Sequence, residues 1–504
     1  MLLPYARDLA ERALNVAALR GASYADVRVV ERRREELTVK LGQVEAVSLS
    51  HTAGFGVRVL VDGSWGFASS AELTAAQAEE VAAFACAIAR ASARVRARRA
   101  RLAPAPAVRG SYRTPVQRDP FSVPLDERID LLLRADAAMR RVPGVAVTES
   151  AIAIGRETKL FASSEGSFVE QEITETGCGI EATAVGEGEV QKRSYPNSVG
   201  RHTGTLGWEL VESLDLPAAG ERVASEAVQL LTAPQCPTGV RSVILDGSQV
   251  ALQVHESCGH PTELDRVFGQ EASFAGTSFL TPEKLGTFRY GSDAVTIAAD
   301  ATVPGGLGTF GWDDEGVAAA RTVLVDRGRF TGYLSSRDTA VELEETLGAL
   351  GALGALGAGP PDALPLRSNG TARADGWNRI PIVRMTNINL EPGEWRLEDL
   401  IADTADGLYM ETNRSCSIDD RRLNFQFGTE WCREIKGGRL GRVYRNATYT
   451  GITPRFWGGC DAVCREWRVW GTPNCGKGEP MQVAHVGHGA APARFREVQV
   501  GVMR

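Results

Sequence analysis

Near the start of the chain, apolar residues recur at spacings of three and four (Leu3, Ala6, Leu9, Ala10, Ala13, Leu14, Ala17), which predicts an amphipathic helix over residues 2–21 stopped by Gly21. From Ala25 to Ser69 the period shortens to two. Runs such as Leu37-Thr38-Val39-Lys40-Leu41 and Gly56-Val57-Arg58-Val59-Leu60 are divided by Gly and Asp-Gly turns, the pattern of an antiparallel meander. A second helix, about Ala71 to Ser92, leads into the basic stretch Arg94 to Arg101 and a Pro-containing linker. The same order then returns: a helix near Leu125 to Arg141, strand-like runs around Ala146 to Ile154, Lys159 to Ala162 and Cys178 to Val185, and a helix from about Ala218 to Leu231. This suggests a helix-and-sheet domain built from two related halves.

After Cys236-Pro237-Thr238-Gly239 the pattern changes to Gly- and Trp-rich sequence with short β-like runs: Ser242 to Leu245, Thr322 to Val325, Gly437 to Val443 and Val498 to Val502. The expected fold class is α+β. A mixed N-terminal domain over 1–235, acting as scaffold and dimer contact, precedes a β-rich barrel- or sandwich-like domain over 236–504 that carries the chemistry. One segment, Leu347 to Gly359, repeats Leu, Gly and Ala with no polar face and reads as a mobile surface loop.

At 504 residues the chain exceeds what a single core usually supports, in keeping with that division. With 56 Lys and Arg against 63 Asp and Glu, its net charge of -7 argues against nucleic acid as a partner. The first residues meet Arg7, Asp8, Glu11 and Arg12 too early for a signal-peptide apolar region, and no uncharged apolar run of about 18 residues could span a bilayer. A cytoplasmic location is expected. Nine cysteines without a dense framework fit a reducing compartment, as core thiols or metal ligands.

Chemistry concentrates after the run Ser242 to Leu245. Asp246 or Ser248 can cap a helix through Val250, Ala251, Leu252 and Val254, which leads into His255-Glu256-Ser257-Cys258-Gly259-His260-Pro261. Two histidines with a Glu directly after the first match a hydrolytic metal site: two imidazole ligands and a carboxylate beside the water. Residues five apart on an ordinary α-helix diverge by about 140°. The helix is therefore expected to bulge or break, Gly259 loosening the backbone and Pro261 disfavouring α geometry at His260.

A catalytic zinc needs a third protein ligand. Cys475 in the Gly-rich turn Asn474-Cys475-Gly476-Lys477-Gly478 is one candidate; an ordinary buried thiol is the competing reading. Cys460 and Cys464 could instead join Cys475 in a structural zinc site. His485 and His488 have ligand-like spacing, but alternation puts them on opposite faces of a strand. Asp313-Asp314-Glu315 reads as a solvated turn.

Taken in order, His255-Glu256 through His260, Gly311-Trp312-Asp313-Asp314-Glu315-Gly316, Ser368-Asn369-Gly370 with Arg373, Arg384-Met385-Thr386-Asn387 and Asn474-Cys475-Gly476-Lys477 make the chain resemble the TldD/PmbA family of metallopeptidases. The resemblance implies a metal held by His255, His260 and Cys475, with Glu256 as the base. PmbA-type members lack these ligands, so the chain is similar to the catalytic TldD type. It further implies a dimer enclosing the site, either of two copies or with a PmbA-type subunit, and a substrate drawn from unfolded or leader-type peptides. Two neutral imidazoles and a thiolate favour zinc, with iron the alternative. The reaction expected is peptide-bond hydrolysis by metal-activated water. The rival readings are a non-catalytic partner subunit and a β-rich peptide-binding module with a structural zinc. Two stretches depart from the family pattern, the Leu/Gly/Ala segment and Phe456 to Trp470.

Overall fold

The computed structural model describes residues 5–96, 98–186, 188–198, 202–273, 276–351 and 367–501. Its N-terminal part repeats one motif. The first copy is α1 (Ala6–Leu19), β1 (Tyr24–Lys40), β2 (Gln43–Val61), β3 (Ser64–Ser70) and α2 (Ala75–Ala93). After β4 (Arg109–Arg113) comes the second: α3 (Leu125–Arg140), β5 (Val145–Ser163), β6 (Phe168–Gly186), β7 (Glu189–Tyr195), β8 (His202–Gly204), α4 (Glu209–Leu214) and α5 (Leu216–Thr232). All eight strands form one sheet of order β3-β2-β1-β5-β6-β4, with β7 and β8 also on β6. The two halves meet where β1 and β5 pair antiparallel, Asp26 opposite Ser163 and Lys40 opposite Glu149. Each half has its own apolar cluster beneath its helices, around Phe55, Val57 and Ala82 in one and Leu132, Ile152 and Val223 in the other. The runs 146–154 and 159–162, separate in the sequence reading, are one strand, because Gly155 and Arg156 continue the ladder opposite Glu175 and Thr174.

The opposite face of this sheet receives the C-terminal half. Trp377 lies over Gly54 and Gly56, and Trp312 over Gly110; a Cβ at any of these glycines would fall within 3.0 Å of a tryptophan atom. The turn Asp313-Asp314-Glu315 is pressed into the same face, which overturns its reading as solvated: its residues are only 1–3% exposed. Asp314 meets Lys159 at 2.7 Å, Glu315 meets Arg58 at 3.1 Å, and Asp313 accepts the backbone N–H groups of Glu315, Val317 and Ala372. Acidic turn composition alone does not reveal that a neighbouring sheet supplies the cations.

Beyond β9 (Gly239–Leu245), five strands close into a barrel. β9 pairs with Asp406–Ile418 and Ala493–Val500, Ala493–Val500 with Thr448–Ile452, that strand with Asn424–Lys436, and Asn424–Lys436 back to Asp406–Ile418. Aromatic rings pack within this half: Phe425, Phe427, Tyr449, Phe456, Trp457 and Phe495. The fold is thus α+β with a β-rich, barrel-containing second half. This half also holds more helix than the sequence reading allowed, including Arg337–Ala349, whose Leu347 is buried. Leu347 to Ala349 are therefore helix rather than loop, and Leu350 and Gly351 form the turn that ends it; residues 352–359 lie outside the described residues. No described helix is long and apolar enough to cross a membrane.

Candidate metal centre

β9 runs directly into α6 (Gly247–Val254), whose first turn is capped by Asp246; its carboxylate accepts the N–H groups of Ser248 and Gln249 at 3.0 and 3.1 Å. Inside the fold α6 is pinned by Tyr449, whose hydroxyl accepts from Gln249 at 2.8 Å and donates to Gln253 at 3.0 Å. At His255 the winding widens to a π turn over His255–Gly259, closed by the His260 N–H on the His255 carbonyl, and a 3-10 turn follows. An i→i+5 turn brings residues five apart onto one side, and so His255 and His260 face the same point. Their rings lie 4.9 Å apart, centroid to centroid. The sequence reading credited Gly259 with loosening the backbone; it also has a packing role, since a Cβ there would sit 2.0 Å from Met385 Sδ. Trp457, fully buried, donates from Nε1 to Ser257 Oγ at 2.8 Å within the π turn. The Phe456 to Trp470 stretch that departs from the family pattern thus buttresses this turn.

Cys475 comes from a distant hairpin, Arg468–Lys477 paired with Gln482–Ala490, in which it stands opposite Ala484 just after a bulge. Its Sγ lies 3.5 Å from His255 Nε2 and 3.7 Å from His260 Nε2. Ligand atoms of the three residues fall within 4.8 Å of one another, and each residue is 4% exposed. They are the one such His, Cys or carboxylate group among the described residues that could hold a metal ion; Cys460 and Cys464 do not join it. All nine cysteines are free thiols.

The protonation of both imidazoles follows from their outer partners. His488 Nδ1 lies 3.3 Å from the Ile388 carbonyl, which can only accept, so that nitrogen carries the proton and Nε2 is the acceptor. His255 Nδ1, 2.8 Å from His488 Nε2, must then donate, so that the nitrogen able to serve as a ligand lone pair, once unprotonated, is Nε2, which faces Cys475. Burial and the adjacent His255 hold His488 well below the usual imidazole range, in accord with a neutral acceptor. His260 Nδ1 likewise donates to Glu263 Oε2 at 2.9 Å, freeing Nε2. In the metal-free chain burial would push the Cys475 thiol up, but protonated His255 and His260, together with Arg384, hold it well below the ordinary thiol range, and against burial Cys475 in turn raises His255; a bound ion would take the place of those protons. Two imidazole lone pairs and a thiolate, convergent and already oriented, suit zinc or a similar borderline-soft ion.

Lys477 ties the late motif to the early one. Fully buried, it donates to Asp265 Oδ1 and to the Val383 carbonyl, both at 2.6 Å, and stands 3.5 Å from Glu263. Burial would raise the Glu263 carboxyl; Lys477 first, then His260, hold it well below its usual range. Glu256 is the most open of the motif side chains, 15% exposed, with Oε2 taken by Arg422 Nη1 at 2.6 Å. Burial raises its carboxyl, and His255, His260 and Arg422 together outweigh that and keep it ionised.

Sequence reasoning missed His488, Glu263, Lys477 and Arg422. His485 and His488 do lie on opposite faces, as alternation requires: His485 meets Glu175 at 2.7 Å, while His488 turns inward. Glu263 had a local signal, three residues after His260; Arg422, on the tip joining Asp406–Ile418 to Asn424–Lys436, had none. His488→Ala is expected to weaken metal binding by about 10- to 100-fold while leaving the fold intact, because His255 loses the acceptor that sets its tautomer. Metal titration against a chelator checks this; unchanged affinity would show that the relay does not matter.

Comparison with known proteins agrees in extent. Models of PmbA/TldA metallopeptidase domain 1, central domain and C-terminal domain match residues 25–89, 118–232 and 238–502. A protein from Methanothermobacter thermautotrophicus named as a metalloprotease is 30% identical over 95% of this chain and 95% of its own length. One of the same name from Methanocaldococcus jannaschii is 29% identical over 91% and 93%. Among solved structures, TldE from Thermococcus kodakarensis superimposes with a TM-score of 0.70 at 16% identity, covering 98% of this chain and 99% of that one. A Thermotoga maritima protein described as a candidate modulator of a DNA gyrase gives a TM-score of 0.75 at 17% identity, covering 98% and 100%. At such identities these two show a shared fold only.

Proposed function

Since the chain belongs to the PmbA/TldD family of metallopeptidases, we propose that it hydrolyses bonds in unfolded or leader-type peptides, with a metal, zinc in our reading, held by His255, His260 and Cys475. The observation that carries this is the convergence of three oriented donor atoms within 4.8 Å beside an ionised, partly open Glu256. When bound, such an ion polarises a carbonyl and lowers the pKa of a water from about 15.7 towards about 7. Glu256 is the base: Arg422 fixes Oε2, and Oε1, free of protein partners among the described residues, takes the proton and delivers it to the leaving amine. Glu263 and His488 keep the imidazoles pointing inward, and burial of the three ligand residues keeps bulk water away. A structural zinc would call for four protein ligands, and the described residues bring together three.

In this reading residues 1–235 are scaffold and dimer contact and 236–504 the catalytic part. The partner is a second copy or a PmbA-type subunit, a choice supported by the fold shared with TldE. The free cysteines support a cytoplasmic setting.

Ligand side chains that are 4% exposed also bear on the substrate. A packed domain cannot present a bond to such a site, whereas a single extended strand can, through backbone hydrogen bonds. The test offers the protein one tightly folded domain, the same domain with a core substitution, and a short peptide copied from it. If that substitution costs about 2.8 kcal/mol, it raises the unfolded population, and the cleavage rate with it, roughly a hundredfold, and the peptide is cut fastest. Equal rates on the stable and destabilised domains would rule out selection for unfolded chains.

A further inference from the structure

A cavity of about 340 Å³ lies between the sheet face carrying β1, β5 and β6 and the strand Gln482–Ala490. Its walls carry seven Arg or Lys side chains against four Asp or Glu. Those four are already matched. Glu157 meets Arg32 at 2.6 Å and Lys159 at 3.2 Å, Asp375 meets Arg32 at 2.9 Å, Asp314 meets Lys159 at 2.7 Å, and Glu175 meets His485 at 2.7 Å.

Two wall cations differ. Arg373 donates to the carbonyls of His485, at 2.9 Å, and Met385; Arg384 donates to those of Gln482 and Cys475, at 3.0 and 2.5 Å. Among the described residues neither forms an ion pair, and the Nε of each has no hydrogen-bond partner. Arg384 is 1% exposed, while Arg373 is partly open. A pair of guanidinium groups held by carbonyl dipoles, with no carboxylate in direct contact, leaves positive charge in a poorly solvated place that the more distant Asp314, Glu175 and Cys475 offset only in part and an entering anion relieves further. In accord with this, burial and the neighbouring Arg384 push the Arg373 guanidinium down to about 10.

The cavity also adjoins the metal centre. Ala484, on its wall, is the cross-strand neighbour of Cys475, and Arg384 holds the Cys475 carbonyl. Leu307, Phe310 and Trp312 supply an apolar side against which the stem of an amino-acid residue can lie. The volume is at the lower end for small-ligand sites, room for one terminal residue or one side chain.

We propose that this cavity is a subsite for a carboxylate of the bound peptide, its C-terminal group or an Asp or Glu side chain, with Arg373 as the direct partner and Arg384 behind it. The assignment rests on the peptidase reading and names the class of peptide which that site takes.

The test measures binding rather than turnover. Fluorescence anisotropy on metal-loaded Glu256→Gln protein compares one labelled peptide as its free acid, as its C-terminal amide, and with each Glu changed to Gln. One of the two replacements should weaken binding roughly ten- to a hundredfold. Loss on amidation assigns the terminal group, and loss on Glu→Gln assigns the side chain. Adding Arg373→Gln should erase the difference. Because the key changes are made in the peptide, the result does not depend on how well that variant folds. If neither replacement weakens binding, the subsite is overturned, and cleavage of the same peptides by the unaltered chain would leave the peptidase reading standing. Carboxylate-dependent binding without any cleavage by the metal-loaded chain would support the subsite and remove the peptidase reading.

Discussion

Glu256→Gln should fold, bind metal at the parent level, and lose roughly 10²- to 10⁴-fold in peptide hydrolysis, the range for removing a general base. The amide is nearly isosteric and Glu256 is no member of the convergent donor set, so neither packing nor metal content should change. What is lost is a proton acceptor. An amide can still accept from Arg422 through its oxygen, which keeps the tip of the Asp406–Ile418 hairpin in place and separates loss of basicity from loss of structure. Single-turnover kinetics with metal content determined on the same sample provides the check. Near-parental rates would remove Glu256 from the mechanism.

Cys475→Ser and His255→Ala should each reduce bound metal from about one per chain to a small fraction, with activity falling in parallel. The expected fall in affinity exceeds the 10- to 100-fold typical of a lost outer-shell partner, because a donor atom itself is removed. For Cys475 the chemistry is specific. The thiolate is an anionic, soft donor, whereas a serine hydroxyl is neutral at the same pH and hard. Cys258 is the control, since it lies in the same motif but is buried in the apolar core, where burial pushes its thiol up to about 12. Metal analysis after purification distinguishes the two. Full metal in Cys475→Ser together with loss in Cys258→Ser would show that the wrong cysteine had been chosen.

Much of this fold was readable from local pattern, for reasons that particular elements make plain. α1, α3 and α5 bury one stripe each, and so their 3.6-residue period is visible in the chain. The meander β1–β2–β3 is joined by Gly turns, and its pairs are sequential. The barrel was legible only as β-rich sequence. Its closure depends on β9 pairing with Ala493–Val500 across most of the C-terminal half, and on the parallel partner Asp406–Ile418. No short-range signal encodes either contact.

The candidate centre divides in the same way. The residue types and spacing of His255, Glu256 and His260, with Gly259 and Pro261 behind them, determined that an ordinary α-helix could not serve and that a change of winding was needed. That conclusion needs only helix geometry. Tertiary structure alone decided how the turn is held, by Trp457 on Ser257 and Met385 over Gly259, and which thiol faces it, because Cys475 is brought in by a hairpin 215 residues from His260. It also decided the outer partners. His488 and Arg422 act through single contacts to residues far away in sequence, and Asp313, Asp314 and Glu315 became buried because a sheet some 150 to 250 residues earlier in the chain supplies Lys159 and Arg58. Local sequence carries periodicity, capping and donor chemistry; burial and charge pairing depend on which distant surfaces meet.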